Sequence, residues 1–89
     1  MPSAFALYQN RPNPFNPATI IRFALPQQSL VRLTLFDVIG REVAILDEGE
    51  RVAGYHDVLF DAHGLASGIY FFRLQAGGFL QTRRMVLLR

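Results

Sequence analysis

The chain has 89 residues, half of them hydrophobic, with 18% charged and a formal net charge of +2. That length holds one domain with one core, and that composition excludes a disordered chain. The absence of cysteine excludes disulfides, thiolate chemistry and zinc sites that need sulfur, and no apolar run reaches the roughly eighteen residues that span a bilayer. Met1-Pro2-Ser3 opens neither a signal peptide nor a transit peptide, so export requires a signal upstream in a longer parent. All nine basic residues are arginine, which is read as compositional bias.

Met1 to Tyr8 supplies Phe5, Leu7 and Tyr8, enough for a weak edge strand or a linker from a parent protein within residues 1–10. Gln9 to Pro17 then carries Pro12, Pro14 and Pro17, and each proline pushes the residue before it into extended geometry. Asn13 and Asn16 suit Asx-turns, so the segment predicts a stiff corner with Phe15 tucked inward as a plug. Pro14-Phe15-Asn16-Pro17 also fits the spacing of a proline-rich ligand, but a strand follows too closely for it to be displayed as one.

Period-two alternation then marks strands at Ile20–Leu25, with Ile21, Phe23 and Leu25 on one face, and at Val31–Phe36, with Val31, Leu33 and Leu35 on one face. Asp37 to Gly40 reads as a turn. Val43–Leu46 is a further strand, and Asp47-Glu48-Gly49-Glu50-Arg51 reads as a charged, solvated loop. Its acids lack the spacing of a calcium loop. His56–Phe60 alternates again, and Ala62 to Ser67 is a crossing loop with Leu65 dipping into the core. Ile69–Ala76 and Phe79–Leu88 form the last two strands, joined by Gly77-Gly78, whose positive φ angles a two-residue hairpin demands. The last strand is expected to end the protein and to leave an accessible edge.

Six clear strands and one weak one, with turn signals about every ten residues and no helical period, predict an all-β fold. The expected architecture is an immunoglobulin-like antiparallel β-sandwich of about seven strands, a monomer, with Tyr70 placed as a tyrosine corner.

Asp61, His63 and Ser67 offer triad side chains without the strand-turn-helix elbow that a serine nucleophile needs, so no enzymatic activity is expected. His56 and Asp57 fall on opposite faces of one strand, which argues against a metal, and no cofactor is expected. Seven acids scattered among the arginines argue against nucleic acid. Exposed aromatics at Phe36, Phe71, Tyr55 and Phe79 are the candidates for a sugar platform.

Four motifs, in order, bring a family into view: Arg11 to Thr19 (Arg-Pro-Asn-Pro-Phe-Asn-Pro-Ala-Thr), Leu35 to Val43 (Leu-Phe-Asp-Val-Ile-Gly-Arg-Glu-Val), Leu65 to Tyr70 (Leu-Ala-Ser-Gly-Ile-Tyr) and Arg83 to Arg89 (Arg-Arg-Met-Val-Leu-Leu-Arg). Together they resemble the type A C-terminal sorting domains of the type IX secretion system, which are similar to the immunoglobulin-like domain of the flagellar hook-capping protein. The resemblance covers Tyr8 to Arg89. It implies a domain that ends a large secreted protein of the Bacteroidota and their relatives and carries that parent from the periplasm across the outer membrane. The implied partners are the N-terminal parent domains, an outer-membrane translocon and a surface sortase-like peptidase that cleaves the domain off, leaving the parent at the cell surface or released.

Carried over by motif, the implied sorting residues are Pro12, Asn13, Pro14, Gly68, Tyr70, Arg84, Val86 and Arg89. Arg84 stands where many members have lysine, and Asn10-Arg11 replaces the common Asn-Tyr before Pro12. The expected mode is strand addition along the edge of the final strand while an acidic groove reads Arg83, Arg84 and Arg89. The rival reading is an immunoglobulin-like accessory module, binding carbohydrate or spacing domains within a secreted enzyme.

Overall fold

The computed structural model describes Met1 to Arg89 as two packed antiparallel sheets without a helix. Seven strands appear in chain order: β1 Ala6–Leu7, β2 Ala18–Leu25, β3 Ser29–Phe36, β4 Glu42–Arg51, β5 Gly54–Asp61, β6 Gly68–Ala76 and β7 Phe79–Leu87. One sheet has the order β1-β2-β5, and the other β4-β3-β6-β7. Compared with the antibody constant-type sandwich, the fourth strand has left the first sheet and joined the second.

The alternation read from the sequence decides what fills the space between the sheets. Ile21, Phe23 and Leu25 of β2 face Val31, Leu33 and Leu35 of β3, Phe72 and Leu74 of β6, and Met85 and Leu87 of β7 in one buried cluster. Each such side chain, fully buried, contributes roughly 1.5–3 kcal/mol relative to exposure. Phe15, from outside any strand, is 3% exposed and lies 6.2 Å from Phe60 between ring centroids, so the expected plug is present. Tyr70 is buried on the same face as Phe72 and Leu74, and its hydroxyl donates to the Ala66 carbonyl at 2.7 Å, which is the tyrosine-corner arrangement.

Two expectations are corrected. Asp47 to Arg51 is not a loop but the second half of β4, paired with Ser29 to Leu33. As an edge strand with solvent on its far side, β4 accommodates charge without loss, and its ladder shifts register beside Leu33/Thr34 and Leu35/Phe36. At the last hairpin, only Gly77 takes positive φ, at 56°, with Ala76 and Phe79 paired across the turn. A side chain at Gly77 would also press on Phe5, which stacks on Phe79 with ring centroids 5.6 Å apart.

Candidate functional site

The proline-rich segment is tied down at both ends. Arg11 and Ile20 exchange both backbone hydrogen bonds, at 3.0 and 2.9 Å, so the segment leaves β2 as an extension of its ladder. Asn10, 1% exposed, fixes the corner: its amide nitrogen donates to the Pro12 carbonyl and to Thr19 Oγ1, both at 3.1 Å. The Thr19 hydroxyl donates to the same Pro12 carbonyl at 2.9 Å, and Gln9 Nε2 donates to Asn10 Oδ1 at 2.7 Å. A proline-rich turn exposes carbonyls that its prolines cannot pair, and these two buried side chains supply the donors.

Beyond Pro12 the segment crosses to the other sheet and runs parallel to β7. Asn13 Oδ1 accepts from the Val86 N–H at 2.9 Å, the Phe15 N–H donates to the Val86 carbonyl at 3.0 Å, and the Leu88 N–H donates to the Phe15 carbonyl at 3.0 Å. Gln9 Nε2 donates to the Arg84 carbonyl at 2.6 Å. The outer edge of β7 is therefore occupied from the Arg84 carbonyl to the Leu88 N–H, and the expectation of an open edge holds only for Leu80 and Thr82. The side chain of Arg89 is committed as well: Nε donates to the Leu65 carbonyl at 2.7 Å and a terminal nitrogen to the Ala62 carbonyl at 3.0 Å.

The loops at this end are rigid for local reasons. Asp37 Oδ1 accepts from the N–H groups of Ile39 and Arg41 at 3.1 and 2.9 Å, and Oδ2 accepts from Arg41 Nε at 2.8 Å. Gly40, at φ 87°, closes that turn by donating to the Asp37 carbonyl. The backbone hydrogen bond from Arg41, followed by its guanidinium and the Ile39 N–H, holds the Asp37 carboxyl below the usual carboxylate range against a smaller desolvation penalty. The Asp37–Arg41 turn and the start of β6 together line one shallow cavity of about 280 Å³.

All four motifs thus meet at one end of the sandwich. Pro12 and Pro14 are exposed on the corner; Asn13 clamps Val86; Gly68, at φ 149°, pairs with Leu87; Tyr70 ties down the preceding loop. Arg84 and the half-buried Val86 point outward, opposite Phe71 and Ile69 respectively. The sequence carries no local signal for the hydrogen bonds of Asn10, Thr19 and Ser67. The pairing of a threonine with an asparagine nine residues earlier has no periodic signature, and the nearest sequence clue is the cluster of prolines between them.

The other candidates are dispersed. Asp61 Oδ1 accepts from the His63 N–H at 2.9 Å and Ser67 Oγ from the Arg89 N–H at 3.1 Å, so each holds its own turn. His56 stacks on Phe23 at 5.2 Å and meets the Val52 carbonyl at 2.7 Å. Phe36 and Phe71 sit opposite each other on the four-stranded sheet with Arg73 4.5 Å above Phe36, whereas Tyr55 lies on the other sheet, so the four aromatics form no single platform. The acids are not scattered: all seven fall between Asp37 and Asp61, and none follows. Arg73 and Arg84 consequently face solvent on the outer surface without a carboxylate partner, while Arg22, Arg32, Arg41 and Arg51 are ion-paired.

The profile of the family described as the secretion system C-terminal sorting domain matches residues 11–88, a span that opens on the proline corner and closes on the strand clamped to it. The chain belongs to this family. No curated protein and no solved structure matched the chain. As a type IX sorting domain it is a sorting signal, part of a larger secreted parent that the secretion system handles and exports to the cell surface or beyond. The matched span takes in most of the residues that build the end of the sandwich described above; Gln9, Asn10 and Arg89 lie just outside it.

Proposed function

We propose that the secretion machinery reads a folded surface of this domain, with Arg84 and Val86 as the residues contacted. Pro12, Asn13, Pro14, Gly68, Tyr70 and Arg89 hold that surface in shape. The observation that carries the reading is the bracketing of β7: Asn13 and Phe15 occupy the edge beside Val86, so recognition at this end passes through side chains. The Arg84 guanidinium, free of any carboxylate in its own chain, suits an acidic partner surface, and Phe71 and Val86 supply apolar contact beside it.

The partner is the outer-membrane translocon, met in the periplasm, and a surface sortase-like peptidase then separates domain from parent. The domain acts as a monomer and performs no catalysis; the commitment of Asp61 and Ser67 to loop hydrogen bonds supports that reading. The test places a photo-crosslinking amino acid at position 84, at 86, or at the exposed Leu59 on the opposite sheet, during export of a reporter fusion. Capture of an outer-membrane protein from 84 and 86 but not from 59 supports the reading, and equal capture from all three overturns it.

A further inference from the structure

The outer face of the three-stranded sheet carries a second feature, apart from Arg84 and Val86. Register sets Arg22 opposite Asp57 and Ala24 opposite Tyr55, while the Tyr8 N–H donates to the Arg22 carbonyl at 3.0 Å on the other side. Tyr8 and Tyr55 are 40% and 55% exposed, the two exposed rings among the chain's eleven aromatic side chains. Both line an open cleft of about 1090 Å³, to which the proline corner also contributes.

The chemistry of this cleft is specific. Arg22 and Asp57 form a two-pronged pair, Nε to Oδ1 at 2.8 Å and a terminal nitrogen to Oδ2 at 3.2 Å, and the guanidinium carbon lies 5.7 Å from the centre of the Tyr55 ring. The pair leaves exposed N–H donors and carboxylate acceptors side by side, near neutral in sum, between aromatic side chains. Most of the lining surface is apolar, with Tyr8, Ile20 and Tyr55 as its large hydrophobic side chains, but a purely apolar ligand would leave the exposed groups of the Arg22–Asp57 pair without partners. A nucleic acid would find little positive charge, because Asp57 offsets Arg22 and Arg11 is the one further cation lining the cleft. A sugar matches both parts: its C–H face packs on a ring, and its vicinal hydroxyls each donate and accept.

We propose that this cleft binds an oligosaccharide, with Tyr8 and Tyr55 packing on sugar faces and the Arg22–Asp57 pair holding adjacent hydroxyls. The site is separate from the Arg84–Val86 surface and stands or falls independently of it. The test is titration of the isotope-labelled domain, followed by NMR, with neutral hexasaccharides of glucose, N-acetylglucosamine and mannose and with purified outer-membrane polysaccharide. Amide shifts centred on Tyr8, Arg22 and Tyr55 are expected with at least one probe. Tyr55→Ala then weakens binding about tenfold or more, as for loss of an aromatic anchor. Leu80→Ala, at an exposed position on the opposite sheet, leaves it unchanged, and both variants are checked for an unchanged fold by their amide spectra. No shifts with any probe at millimolar concentration, or shifts that Tyr55→Ala leaves intact, overturn the proposal.

Discussion

Asn13 Oδ1 receives the Val86 N–H at 2.9 Å across 73 positions of chain. A side-chain acceptor on the corner thereby takes the place that a neighbouring strand's carbonyl would fill, and β7 is kept from offering that position to another chain. Asn13→Ala removes the acceptor and is expected to lower stability by about 1 kcal/mol, as for a partly exposed hydrogen bond. Asn13→Asp restores the acceptor and most of the loss. Coincident urea midpoints for the parent and Asn13→Ala would show that the clamp contributes nothing.

The corner itself depends on buried polar groups. Asn10→Ala removes one of the two donors on the Pro12 carbonyl and one partner of Thr19 Oγ1, at a cost of about 2 kcal/mol for the two hydrogen bonds lost. Thr19→Val, which keeps the shape, is expected to cost less. Guanidinium melts of the two variants rank them, and a larger loss for Thr19→Val would reverse the assignment.

Tyr70 separates packing from hydrogen bonding. Tyr70→Phe loses the bond to the Ala66 carbonyl and about 1 kcal/mol. Tyr70→Ala loses the ring as well and about 3 kcal/mol or more. If the two variants melt together, the ring does not hold the β5–β6 loop.

Acid sensitivity should trace in part to Asp37. Its folded pKa lies below its unfolded value, so its contribution is complete above the unfolded pKa, about 3.9, and is lost as pH falls through the folded value. Asp57 follows the same sign through its hydrogen bonds from Arg22. Asp37→Asn is expected to be less stable than the parent near neutral pH, with the gap closing in acid. Urea midpoints that stay equally far apart from pH 7 down to about pH 2 would contradict this origin.

The strands were legible because burial of one face forces a period of two, and Ile21, Phe23, Leu25 and Val31, Leu33, Leu35 announce their faces without help from tertiary context. Asp47 to Arg51 misled because an edge strand faces water on its outer side and its composition then resembles a loop. The proline corner was recognisable as a corner, with Phe15 turned inward, since proline geometry is local. What Asn13 and Arg89 hold was not legible: both partners are backbone groups, which every residue carries alike, and only the folded topology selects Val86, Leu65 and Ala62.

The sorting signal we propose is a folded surface at Arg84 and Val86. A signal peptide, a folded reporter and this domain, expressed in a host with type IX secretion, test it directly when Arg84→Ala is compared with the parent domain. Arg84 is exposed and unpaired, so the variant should keep its thermal midpoint. The predicted result is reporter outside the cell with the parent domain and retained in the periplasm with Arg84→Ala. Equal export of the two, with both domains folded, would contradict the claim.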